Sequence, residues 1–255
     1  MDMFFPMISV TTFVFAFLIA FVAGWVKGVV GFAMPMIMIS GLASVVEPQL
    51  ALAGLILPTL VTNTMQALRQ GIAQAYKALR KFWAFLLVGL VFLLASAQLV
   101  AVLPTRWLFL GIGVPIILFS AAQLLGWKPS QLTQSFRLDA IVGAFAGFIG
   151  GLSGIWGPPT VVYLTALNTP KEEQIRLQGV IYGLGAFALL GAHFQSGVIS
   201  AETLPFSAAL IVPSVLGMWL GLKVQGKIDQ NAFRMATLVV LLVVGLNLVR
   251  RALMG

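Results

Sequence analysis

The chain has 255 residues, of which 60% are hydrophobic and 9% charged, with a mean hydropathy of +1.04. A soluble domain carries about 25% charged residues, so this composition excludes one and points to an all-α polytopic membrane protein. The net charge of +8 does not call for nucleic acid, because the 15 Lys and Arg fall mostly between apolar runs, where cytoplasmic loops collect them. With no Cys, thiol catalysis, disulfides and cysteine-ligated metal are excluded.

The opening MDMFFPMIS lacks a basic n-region, so no cleavable signal peptide is expected. Apolar runs follow at residues 10–46, 49–68, 82–103, 107–127, 138–167, 175–194, 204–222 and 232–249. Six have the roughly 20 residues that cross a bilayer once. As single helices the runs 10–46 and 138–167 would be about 55 and 45 Å long, against a hydrocarbon core of about 30 Å. Both carry a Gly/Pro tract: GWVKGVVGFAMP at 24–35 and GFIGGLSGIWGPP at 147–159. Interior Gly costs about 1 kcal/mol and interior Pro about 3 relative to Ala, so each long run should break there into two arms. Gly24, Gly28, Gly31 and Pro35 match Gly147, Gly151, Gly154 and Pro158 at a constant offset of 123. The chain therefore reads as a duplication, with repeats at 1–127 and 128–255.

Loop charge sets the expected orientation. Loop 69–81 holds Arg69, Lys77, Arg80 and Lys81, while its counterpart 195–203 holds no Lys or Arg. The first should be cytoplasmic and the second external, which requires that each broken run enters and returns and that the repeats are inverted. Eleven Lys and Arg then lie inside and three (Arg106, Arg250, Arg251) outside, against about eight to six for eight plain crossings. Inverted repeats with a discontinuous helix in each half are a plan of secondary transporters, with substrate near the midplane. A break frees backbone N–H groups at the start of the second arm, where the helix dipole is positive. In hydrocarbon these must meet protein, water or ligand, so the breaks should line a cavity suited to an anion. Close helix packing of the small-xxx-small kind is the other use of Gly24, Gly28, Gly147 and Gly151.

The segments VKGVVGFAMPMIMISGL (26–42) and GGLSGIWGPPTVVYL (150–164), each opening a four-segment half, resemble the TauE/SafE sulfite exporters, also called the toluene sulfonate uptake permease family. The resemblance covers essentially the whole chain. It departs at Ala33, where a further glycine is common. It implies a permease of small anions, such as sulfite and organosulfonates, in the bacterial inner membrane. Lipid and the anion are its partners, no cofactor or metal is required, and a homodimer is compatible.

Candidate substrate-binding residues around the first break are Lys27, Gly28, Gly31, Phe32 and Pro35, with Asn63 and Gln66 on the next run. Around the second they are Gly151, Ser153, Gly154, Gly157 and Pro158, followed by Tyr163, Gln178 and Tyr182. A lysine inside an apolar tract is costly enough to be functional, unless it snorkels to an interface. Asn63 and Gln66 are more often helix–helix hydrogen bonds, and Arg69, near the helix end, reads as a cytoplasmic anchor. All seven acids fall in or beside loops. No membrane-centre carboxylate is expected to carry protons. Substitution by Leu at Gly31 or Gly154 should be severe, and at Gly143 milder. A second reading is a rhomboid-like intramembrane serine protease with Ser153 in Gly151-Leu152-Ser153-Gly154 as nucleophile and His193 as base. Against it, the two would lie on neighbouring runs, and the repeat already accounts for the glycines.

Overall fold

The computed structural model describes residues 8–97, 105–127, 132–153, 157–195 and 198–254, and among them all regular structure is helical. The helices are α1 (Val10–Val30), α2 (Met34–Leu42), α3 (Pro48–Leu68), α4 (Ile72–Lys81), α5 (Trp83–Ala97), α6 (Thr105–Leu124), α7 (Phe136–Ser153), α8 (Gly157–Ala166), α9 (Lys171–Gln195), α10 (Leu204–Ala209), α11 (Ile211–Lys227) and α12 (Gln230–Met254). Both long runs break, as the glycine tracts require: 10–46 becomes α1 and α2, and 138–167 becomes α7 and α8. Among the described residues, four helical stretches are long and apolar enough to cross a membrane, or five if α4 and α5, bent by 73°, form one span. The expected loop 69–81 is mostly helix. α4 sets exposed Ile72 and Tyr76 beside exposed Lys77, Arg80 and Lys81 and turns buried Ala75 and Ala78 inward, an amphipathic pattern that the short span and its charges masked.

The chain divides into two compact units, residues 1–71 with 178–229 and residues 72–177 with 230–255. In the first unit α1 and α11 touch through their backbones. A Cβ on Gly24 would fall on the Ser214 carbonyl, and one on Gly28 would lie 2.8 Å from the Cα of Gly221. Gly217 abuts Phe21 and Trp25 in the same way, so four glycines spaced four apart make the small-residue seam that lets parallel helices approach closely. α2 does not continue α1 but returns along it. Ile19 and Gly41 are 22 positions apart, about 33 Å on one straight helix, yet a Cβ on Gly41 would sit 2.6 Å from the Ile19 side chain. This hairpin buries Ala16, Ala20 and Ala23 against Met34, Met38 and Leu42, and the core is completed by Ala51 and Ile56 of α3, Phe206 of α10 and Leu210 just after it.

α3 runs parallel to α11. Near its start, Ser207 Oγ donates to Ala53 O at 2.6 Å and accepts from Leu57 N at 3.2 Å. The hydroxyl thus enters the helix ladder just before Pro58, an interior proline that already loosens that turn. At its other end, Arg69 Nη1 donates to Gln225 Oε1 at 3.2 Å. The segment leading into α10 and the residues that follow α3 therefore lie at opposite ends of this unit.

The second unit repeats the same devices. α5 and α7 run parallel, with Gly143 on Phe85 and Gly147 on Gly89. A Cβ at Gly143 would lie 2.9 Å from the Phe85 Cα, which corrects the expectation that Gly143→Leu is mild: this glycine is a backbone contact. α6 and α12 run antiparallel, Gly113 lying beside Gly245 and Val249. α8 returns along α7, because Tyr163 donates its hydroxyl to Asp139 Oδ1 at 2.6 Å although the two are 24 positions apart, about 36 Å on one helix. Gln134 Nε2 donates to Asp139 Oδ2 at 3.0 Å, and Lys81 pairs with Glu173 at 2.6 Å.

Candidate functional site

The first break is built by two residues in the left-handed region. Gly31 has φ 86° and closes α1, its N–H donating to Lys27 O at 2.6 Å. Ala33 has φ 72° and opens α2 with no side-chain cap, and Pro35 sits in the first turn. A left-handed alanine costs about 1–2 kcal/mol, which is the physical reason a glycine would fit this place better. The orphaned carbonyls at the end of α1 are answered by amides. Gln66 Nε2 donates to Gly31 O at 3.0 Å. Gln178, with its amide turned to donate, reaches Val30 O at 3.2 Å and Gly31 O at 3.1 Å.

Lys27 lies in the last turn of α1, 1% exposed, and its ammonium donates to Asn63 Oδ1 on α3. It does not snorkel. The described acids of this unit, Glu47, Glu202 and Asp229, are exposed, and among the described residues no carboxylate pairs with Lys27. The cation therefore keeps two N–H donors and has no carboxylate partner, only the partial negative charge at the C-terminal end of α1. One turn before Asn63 on the same face of α3, Thr59 is 7% exposed, and its hydroxyl has no hydrogen-bond partner. On α11, Ser214 is fully buried with its hydroxyl likewise unpartnered. Sequence reading missed both; the spacing of Thr59 from Asn63 was the available signal.

The break lies level with the last turns of α3, toward one end of the unit instead of at half-height. The physical reason is that α1 alone, with 21 residues, is about 31 Å long before it breaks. Phe32 is buried beside it, Pro35 is partly buried, and Tyr182 is buried further along α9. Gly28 faces α11, so its missing side chain makes room for a helix.

At the second break Gly151 and Ser153 end α7, and Gly157 and buried Pro158 open α8. Gly154 lies outside the described residues, as do the side chains of Ser153 and His193. Pro158 and Pro159 remove two of the N–H groups that a helix start would offer. Tyr163 is engaged by Asp139 and stacks on Phe85 at 6.1 Å. Asp139 is 4% exposed, so one of the seven acids is buried although its position beside a loop suggested otherwise. The start of α7 suits its charge.

A family model for the sulfite exporter TauE/SafE matches residues 16–248. The chain belongs to the TauE/SafE family. Among curated proteins and among solved structures nothing matches. As a TauE/SafE protein it is a multi-pass membrane transporter of small anions and not an enzyme, and its environment includes membrane lipid.

Proposed function

We propose that this TauE/SafE protein carries sulfite, organosulfonates or related small sulfur-containing anions across the bacterial inner membrane, by alternating access around its two broken helices. The observation that carries this reading is the buried Lys27, bonded to the neutral amide of Asn63 with no acid beside it. A lysine ammonium kept from water needs a counter-charge, and a transported anion supplies one. Backbone N–H groups of the Phe32–Met36 stretch and the Thr59 hydroxyl, one turn from Asn63 on α3, add further donors.

Inverted repeats at 1–127 and 128–255 are part of the proposal. They are supported by the return of α2 along α1 and of α8 along α7, and by the placement of the residues after α3 and those before α10 at opposite ends of one unit. Gly150 stands in the second repeat where Lys27 stands in the first, so the cation belongs to one break only. That favours a monoanion, because a dianion's second charge would need a buried partner that this site lacks.

Purified protein in proteoliposomes should show flux of sulfite or monosulfonates above that of sulfate, carboxylates and phosphate. Calorimetry should show sulfite binding that strengthens as pH falls and the monoanion gains, and Lys27→Met should weaken binding without reversing that preference. Sulfate flux that matches sulfite flux and does not depend on Lys27, or sulfite flux that rises at higher pH, would contradict the reading.

A further inference from the structure

A second group of donors lies in the other unit, on the seam between α6 and α12. The antiparallel register that sets Gly113 beside Gly245 and Val249 brings Gln123, ten residues on, level with the first turns of α12. There Arg234 donates through Nη2 to Gln123 Oε1. No carboxylate pairs with Arg234 among the described residues. Gln123 is 6% exposed, and with its oxygen taken by Arg234 its Nε2 has no partner. Thr237, one turn on from Arg234 and on the same face, is fully buried, and its hydroxyl also has no partner. A threonine inside a helix ordinarily gives its hydroxyl to the carbonyl four residues back, so this one is held in reserve.

Taken together these are a guanidinium with four N–H groups to spare, an amide N–H and a hydroxyl, with no carboxylate paired to the guanidinium among the described residues. Burying donors without partners costs about 1–3 kcal/mol each. Such a set matches one kind of ligand, a tetrahedral or pyramidal oxyanion that takes a forked pair of bonds from arginine and single bonds from the others.

We propose that Arg234, Gln123 and Thr237 form a second oxyanion site, built from elements other than those of the Lys27 site and independent of it. Its ligand carries phosphate- or sulfo-type oxygens, either as a small soluble anion or as the head group of an anionic phospholipid. The test uses the full chain in detergent and in nanodiscs. Inorganic sulfate and phosphate are titrated by calorimetry, and retention of phosphatidylglycerol is followed by native mass spectrometry. For whichever source binds, Arg234→Gln should weaken it about tenfold or more, the loss of a charged hydrogen bond. Thr237→Val, of nearly equal volume, should weaken it less while leaving the fold intact, and Lys27→Met should leave it unchanged. Loss of the soluble anions alone assigns a small-anion site, and loss of the lipid alone assigns a head-group site. If wild type binds neither source, or if Arg234→Gln and Thr237→Val bind both as wild type does, the proposal fails. Because Lys27→Met acts on the first break alone, failure there leaves this site standing, and the reverse holds.

Discussion

At the scale of single residues, Lys27 and Asn63 form a pair in which a charge is answered by an amide instead of an acid. Asn63→Asp changes little in shape but gives the ammonium an internal counter-ion. The substitution should therefore keep the protein folded, with thermal stability equal to or above wild type, while anion transport falls by an order of magnitude or more as the carboxylate takes the place of the substrate. Flux at the wild-type rate in Asn63→Asp would show that the ammonium's charge is not for the anion. The lysine was legible in the sequence because a cation inside an apolar tract is conspicuous. What the spacing could not settle was the direction in which Gln66 and Gln178 spend their amides. Gln66 could serve a ligand or a neighbouring helix and Gln178 was a candidate cavity residue, and both donate to the carbonyls that the break leaves open at the end of α1. Asp139 was misjudged for a related reason. A carboxylate at a helix start looks solvated in sequence, and only the return of α8 brings Tyr163 over it.

At the scale of elements, the glycine tracts announced where the helices break, yet their spacing served two purposes that sequence alone cannot separate. Gly31 supplies a left-handed turn, whereas Gly24, Gly28, Gly143 and Gly147 bring backbones together. A side chain at Gly147 would meet the Gly89 backbone, which cannot give way as a flexible side chain can. Gly147→Leu should then cost about 3 kcal/mol or more and reduce the yield of folded protein, while Gly111→Leu, with open space at its Cβ, should express and melt as wild type does. Thermal unfolding in detergent, followed by tryptophan fluorescence, measures both. Equal melting of the two variants would mean that the α5–α7 seam is not a tight contact. The helix α4 escaped sequence reading because ten residues with three cations read as a charged loop unless the apolar pair Ile72 and Tyr76 is weighed with them.

At the scale of the whole molecule, the compact units do not follow the halves of the sequence, since each unit takes helices from both. Periodicity reports which segments are alike, and packing decides which lie together, so the exchange of helices between units was not legible in the sequence. The proposed orientation is open to direct test in a chain that has no native Cys. Single cysteines at Gln74 and Ser200 should react with an impermeant thiol reagent from opposite faces of the membrane, and labelling of both from one face would remove the inverted repeat. The glycine seams also bear on how the protein is made. α7 follows α5 by fewer than forty residues, so the seam of the second unit can close soon after both have emerged. α1 must wait for α11, about 180 residues later, which is roughly ten to forty seconds of synthesis. Through that interval its backbone groove faces lipid or the insertion machinery. Nascent chains arrested before residue 211 should be cleared by membrane quality control far faster than finished ones, whatever their side chains.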